Sequence, residues 1–301
     1  MNTYFDIRYF SNKDLNEEIE TLVSELEEKL SVTIESSEIF QINKNGQGRI
    51  SDETKQLLEE SLSYCEICQG KLDISVYPLS RAWGFTTGQY RVLSEEEAAE
   101  LLKKVDYRKI RINDNEVILE EDMMLDLGST AKGYCGDRII SFLKENGVSS
   151  ALLDLGGNIQ TLGKKPDRSS WNVGIRDPRS EGIIGCVKVF DLGVVSSGAY
   201  ERYFMQGDQR YGHIIDPDTG YPVDNGLLSV TIITDKGIRA DAFSTALYVM
   251  GEEEAIIFWK SRNDFEMILV NDQNEILISE GLWDLFSPEK DSTYELVRVE
   301  R

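Results

Sequence analysis

The chain has 301 residues, of which 41% are hydrophobic and 29% charged, and carries a formal net charge of −22. That length can bury a sizeable core, and no apolar run approaches the roughly 20 residues that a membrane span needs. The charge opposes binding to the phosphate backbone of DNA or RNA. A phosphorylated ligand must therefore be held locally, by a cation, backbone amides and a few placed side chains.

Taken in order, the chain opens with an alternation around Phe5, Ile7 and Tyr9 that predicts a one-sided strand. A helix follows, with Leu15, Ile19, Leu22, Val23, Leu26 and Leu30 on one stripe. A second is expected over residues 52–68, and a third from Ser94, where Ser94 and Glu97 read as a capping box. Residues 109–120 read as a hairpin turning at Asn113, Asp114 and Asn115. The next helix, 133–146, stops at Gly147, a C-cap. Strands are then expected at 150–155, 171–176, 186–190, 194–197, 201–205, 210–214 and 228–234. Helices return at 239–250 and 252–261, and a closing hairpin pairs 266–270 with 275–279. Strands and helices interleaved this irregularly argue for an α+β fold in one compact unit, without linker or repeat.

The four cysteines, Cys65, Cys68, Cys135 and Cys186, are too few and scattered for a disulfide framework. Cys65 and Cys68 form a CxxC, but at the end of a helical pattern and with one histidine in the whole chain, so they read as ordinary thiols. The N-terminus shows no charged region followed by an apolar one, so the chain as given is expected to be cytoplasmic, or exported or lipid-anchored if a leader was removed.

Four segments hold residues that folding alone does not require. Residues 125–134, LDLGSTAKGY, run from a strand end through a glycine turn into a helix. This is an ordinary connection, or an anion site made by free amides at a helix N-terminus. Residues 155–158, LGGN, match neither a dinucleotide fingerprint nor a Walker A loop, so Gly156 and Gly157 read as a tight turn. His213 precedes the turn signal DPDTG. A lone histidine there reads first as a structural hydrogen-bonding residue, yet it is the one side chain whose ordinary pKa, about 6.5, suits proton transfer near neutrality. In residues 239–246, RADAFSTA, Asp241 and Thr245 share a helical face with Ser244 beside them. This is a hard-oxygen cluster suited to Mg²⁺, or an acid placed to suit the helix dipole.

In this order the segments resemble the ApbE family, the FAD:protein FMN transferases, from about residue 1 to about residue 285. The family's MGT opening stands here as Met1-Asn2-Thr3, and its F-D stretch as Leu72-Asp73 followed by Trp83-Gly84-Phe85. D-L-G-x-x-A-K-G-Y, L-G-G-N, S-G-x-Y-E-R-Y-F, H-I-I-D-P-x-T-G-x-P and A-D-A-x-x-T-A follow. Asn2 replaces the glycine of MGT, Thr33 stands where many members carry a flavin-contacting tyrosine, and Lys71-Leu72 replaces a small-Phe pair.

The resemblance implies an α+β, T-fold-related architecture of mixed and antiparallel sheets packed on helices, two intertwined halves with the FAD site between them, forming one flavin transferase domain over 1–301. It implies that FAD is gripped by Met1, Lys71, Leu72, Asp73, Gly128, Tyr134 and Ile215. It assigns Mg²⁺ to the Ala131 carbonyl, Asp241 and Thr245, with Ser244 where some members supply another ligand; the reaction it implies needs a base, for which His213 is the candidate, with Asp241 as the other catalytic residue. The implied reaction moves FMN from FAD to a Ser or Thr hydroxyl of an acceptor protein, of the FMN-binding-domain or redox-pump-subunit type, and releases AMP. A homodimer is compatible with it. A flavin carrier and a Mg²⁺-dependent FAD pyrophosphatase would use nearly the same residues.

Overall fold

The computed structural model describes residues 4–301. In chain order the elements are β1 (Asp6–Tyr9), α1 (Asn16–Leu30), α2 (Glu38–Asn45), β2 (Gln47–Arg49), α3 (Asp52–Ile67), α4 (Tyr77–Trp83), α5 (Glu95–Leu102), β3 (Arg111–Asn113), β4 (Glu116–Ile118), α6 (Ala131–Glu145), β5 (Ala151–Asp154) and β6 (Asn158–Leu162). Then come β7 (Trp171–Arg176), β8 (Ile183–Val189), β9 (Gly193–Ser197), β10 (Tyr203–Gln206), β11 (Gln209–Gly212), β12 (Leu227–Thr234), α7 (Gly237–Lys260), β13 (Glu266–Asn271), β14 (Glu275–Ser279), β15 (Phe286–Pro288) and β16 (Glu295–Val299). The chain divides into two compact units, each returning to the sequence more than once.

One unit comprises Glu17–Ala131 and Arg202–Val223. It holds α2 to α5, most of α1, the small sheet β2-β4-β3 and the two-stranded ribbon β10-β11. Short elements here are defined by their ends. Ser37 accepts the Phe40 N–H at the start of α2, and Gly46, at φ 72°, closes it. The capping box expected at Ser94 and Glu97 is present in full at the start of α5. An apolar cluster of Leu79, Trp83, Phe85, Leu93, Ala98 and Ile215 forms a core under the ribbon.

The other unit comprises 4–16, Lys132–Glu201 and Asp224–Arg301. Its frame is an eight-stranded sheet in the order β1-β5-β6-β9-β12-β13-β14-β16, antiparallel except where β16 joins β14. A second sheet, β15-β8-β7, encloses with it a core that includes Val173, Val187, Ile268 and Ile276. The first half of α7 packs on β9 and β12 and is buried on most sides, so it shows little amphipathic periodicity.

Some expectations shift and others hold. The strands expected at 201–205 and 210–214 are Tyr203–Gln206 and Gln209–Gly212, because Glu201 turns back to donate to the Gly198 carbonyl and Ile214 accepts from Val223 instead. The break expected between two late helices is Gly251, at φ 80° and ψ 174° within α7, while the first begins earlier, at Gly237. The helices α2 and α4, of 8 and 7 residues, are too short to impose a readable period. Gly156 and Gly157, at φ 64° and 89°, make the expected turn, from which β6 emerges.

Among the described residues no helix is long and apolar enough to cross a membrane.

Candidate active site

His213 lies just past β11, where its backbone N–H donates to the Arg202 carbonyl at 3.1 Å and so extends the ribbon by one pair. Its Nδ1 is 3.2 Å from the same oxygen. A carbonyl only accepts, so this contact places the ring proton on Nδ1 and makes Nε2 the basic nitrogen of the neutral ring. The half-buried imidazole meets the Phe85 ring edge-on, with centroids 6.4 Å apart.

The turn after it is pinned. Asp216 Oδ1 accepts the Asp218 N–H at 2.9 Å, its own carbonyl accepts the Gly220 N–H at 2.8 Å, and the Gly220 carbonyl accepts from Trp83 Nε1 at 2.9 Å. Asp216 is thus a turn-forming residue. Ile215 sits in the apolar cluster beneath, 6% exposed.

The same unit holds most of the residues that the resemblance assigns to FAD. Lys71 reaches Asp218, with Nζ 2.9 Å from the carboxylate. Leu72 is buried. Asp73 accepts the Ser75 N–H at 2.7 Å, the Ser75 hydroxyl at 2.6 Å and the Tyr107 N–H at 3.0 Å. Burial pushes its carboxyl up, and those three donors pull it back. Met1 lies outside the described residues.

Of the two readings of residues 125–134, the ordinary connection is favoured over the anion site. The amides that an anion site relies on are occupied: Gly128 donates to Asp126 Oδ1 at 2.8 Å, Thr130 and Ala131 donate to the Leu127 carbonyl, and Gly133 donates to Asp241 Oδ2 at 2.9 Å. Two carboxylates and one backbone carbonyl thus take these four amides.

Asp241, 4% exposed, is set by a reciprocal clamp between α6 and α7. From α7 it receives the Gly133 N–H in the first turn of α6, and from α6 the Asp137 carboxylate receives the Gly237 and Ile238 N–H groups at 2.7 and 2.9 Å. α7 has no side-chain cap of its own, so Asp137 serves as one. Gln160 locks the crossing: its Nε2 donates to the Gly133 carbonyl at 3.0 Å and to Asn158 Oδ1 at 3.2 Å. A Cβ on Gly133 would meet the Gly237 carbonyl at 2.2 Å, and one on Gly136 or Gly237 would meet the Gln160 amide at 2.1 or 1.7 Å. Burial drives the Asp241 carboxyl up; the Lys132 charge, the Gly133 and Lys132 N–H groups and the Asn158 amide oppose it.

Ser244 is fully buried; its hydroxyl lies 2.9 Å from the Asp241 carbonyl, as donor, and 2.8 Å from the Ser197 hydroxyl. Thr245 follows one turn after Asp241 and is partly exposed. Tyr134 and Ala131 are buried in the first turn of α6. Among the described residues no three of His, Cys, Asp and Glu gather into a metal cluster, so a cation here must rest on one carboxylate and neutral oxygens. The CxxC thiols are buried, and burial pushes Cys65 up, away from the thiolate.

Asp137 and Gln160 escape a reading of the sequence by motif, and Asn158 is seen only as the end of the LGGN turn. A signal that could find Asp137 and Gln160 is the pair Gly133 and Gly136 inside the first turns of a helix, a cost that close approach explains.

Comparison with known proteins agrees along the chain. The model of the ApbE family matches residues 1–269. The FAD:protein FMN transferase of Klebsiella pneumoniae is 31% identical, with 96% of this chain and 92% of that protein covered. That of Treponema pallidum is also 31% identical, covering 89% and 80%. Among solved structures, the ApbE protein of Thermotoga maritima superposes with a TM-score of 0.87 at 32% identity, over 95% of this chain and 96% of that one. The apo form of the Pseudomonas stutzeri flavinyl transferase ApbE gives 0.80 at 28%, over 89% and 87%. With the family pattern running through both units and relatives matched over nearly their full length, this chain belongs to the ApbE family.

Proposed function

We propose that this protein transfers FMN from FAD to a Ser or Thr hydroxyl of an acceptor protein, an FMN-binding domain or a redox-pump subunit, and releases AMP. The observation that carries the reading is Asp241. An asparagine would accept the same N–H group without the burden of a buried charge, yet a carboxylate stands there, with the Ser244 and Thr245 hydroxyls on the same helix. That donor set fits Mg²⁺, which would be held by Asp241, Ser244, Thr245 and the Ala131 carbonyl and would supply charge neutralisation at the FAD pyrophosphate.

His213 does the proton work. Nε2 takes the proton of the acceptor hydroxyl as its oxygen bonds to the FMN phosphorus, and the bond from that phosphorus to the AMP oxygen breaks. The Arg202 carbonyl holds the Nδ1 proton throughout and so fixes the ring's orientation. Met1, Lys71, Leu72, Asp73, Gly128, Tyr134 and Ile215 are the proposed FAD contacts.

The test is to incubate the protein with FAD, Mg²⁺ and an acceptor domain and to weigh the acceptor intact. One FMN added through a Ser or Thr, with AMP released, is the expected result. AMP with unmodified acceptor would identify a pyrophosphatase, and no AMP a carrier. Asp241→Asn should weaken Mg²⁺ binding and transfer together; a metal titration identical to wild type would remove Asp241 from the metal set.

A further inference from the structure

The ribbon β10-β11 pairs with no third strand among the described residues. Its register matches Phe204 with Tyr211, and the bond from His213 N–H to the Arg202 carbonyl fixes which pairs are hydrogen-bonded. By the antiparallel alternation, Arg202/His213, Phe204/Tyr211 and Gln206/Gln209 face each other through hydrogen bonds, and the N–H and C=O groups of Tyr203 and Met205 point away from β11. They form an open edge along β10. Natural sheets ordinarily blunt such edges with charge, proline or a covering element.

The two faces of the ribbon differ. Phe204 stacks on Tyr211 and on Tyr90, with centroids 5.2 and 5.1 Å apart, and this face closes onto Trp83. The opposite face presents Tyr203 and Met205, 43% and 53% exposed, with the Arg210 guanidinium 4.3 Å over the Tyr203 ring. Residues 202–213 carry Arg202 and Arg210, both exposed, against Asp208 alone, in a chain whose net charge is −22. An apolar, basic edge that leads to His213 is therefore set into a strongly acidic protein.

We propose that β10 is the docking edge for the acceptor: an extended, acidic segment of the acceptor protein pairs with the outward groups of Tyr203 and Met205 as an added strand, which carries its hydroxyl past Arg202 to His213. Tyr203 and Met205 supply apolar contact for alternate side chains, and Arg202 and Arg210 supply the charge complement. Main-chain pairing explains how one enzyme surface accepts a segment without reading every side chain. This inference rests on the transfer reading above, and its test is separable from it.

The test measures binding of the acceptor domain to the His213→Ala protein by calorimetry, so that no turnover is needed. Met205→Pro removes an outward N–H without touching the bonds to β11, and Arg210→Glu reverses the charge without touching the backbone. Each is expected to weaken acceptor binding by about threefold to tenfold, the worth of one main-chain bond or one charged contact, with FAD binding unchanged. Met205→Ala keeps the N–H and should lie closer to the parent. Hydrogen exchange should show the Tyr203 and Met205 amides protected when acceptor is added. Unchanged acceptor affinity in Arg210→Glu together with unprotected amides would overturn the proposal. So would protection that appears with rising concentration of the enzyme alone, which would assign the edge to a second copy of this chain. If the acceptor binds as expected but wild type transfers no FMN, it is the transfer reading that fails.

Discussion

His213 and Asp241 are held in opposite ways. His213 stands at the end of a two-stranded ribbon, with its ring nitrogen against the Arg202 carbonyl and its ring edge-on to that of Phe85. Asp241 is buried at a helix crossing where each N-terminus is capped by a carboxylate from the other helix and a glutamine bonded to α6 lies against Gly237 of α7. The contrast follows the chemistry. In the proposed roles, a base that meets the hydroxyl of a separate protein gains from an adaptable support, whereas a ligand to a small hard cation tolerates little displacement.

Substitutions can break or sharpen that contrast. His213→Ala should have the largest effect, lowering the transfer rate by about 10²- to 10⁴-fold, with FAD affinity by fluorescence titration near wild type; loss of both would make His213 a structural residue. Asp137→Ala, which touches no proposed ligand atom, should weaken Mg²⁺ by roughly 10- to 100-fold because it frees the start of α7. Calorimetric metal titration measures it, and faster exchange of the Gly237 and Ile238 amides should accompany it. If metal affinity holds while those amides open, the clamp is not what positions Asp241.

Gly136→Ala should cost about 1–3 kcal/mol in denaturant unfolding by forcing the Gln160 amide aside. Adding Gln160→Ala should recover part of that, giving a coupling term in the double-mutant cycle; strict additivity would contradict the steric account. Lys71→Met should do least. Its bond to Asp218 is a partly exposed ion pair worth about 0–1 kcal/mol, so stability should barely change, and a clear rise in the FAD dissociation constant would then report contact with the ligand itself.

The parts of this molecule legible in the sequence are those whose cause is local. Ser94 and Glu97 announce a capping box, DPDTG a turn, and residues 266–279 a hairpin, because each is fixed by neighbours a few positions away. Helix α7 was legible as two helices because Gly251 interrupts it. The two readings of residues 125–134 stay open for the opposite reason: one of the acceptors that decide between them is Asp241, 108 positions from Gly133. β15 and β16 went unread because they depend on partners in β8 and β14 rather than on alternation of their own. The motif residues marked where chemistry is proposed, and the residues that hold them, Asp137 and Gln160, were silent because their roles are set by packing across the chain.

The exchange of caps between α6 and α7 also bears on how the protein folds. Gly237 lies 100 positions beyond Asp137. Neither helix start has these bonds until both helices are in place. Contacts of such long sequence separation form late. The proposed cation site should therefore be absent from any partly folded form and appear in one cooperative step, so that a chain able to capture the ion has by that act passed its own folding inspection.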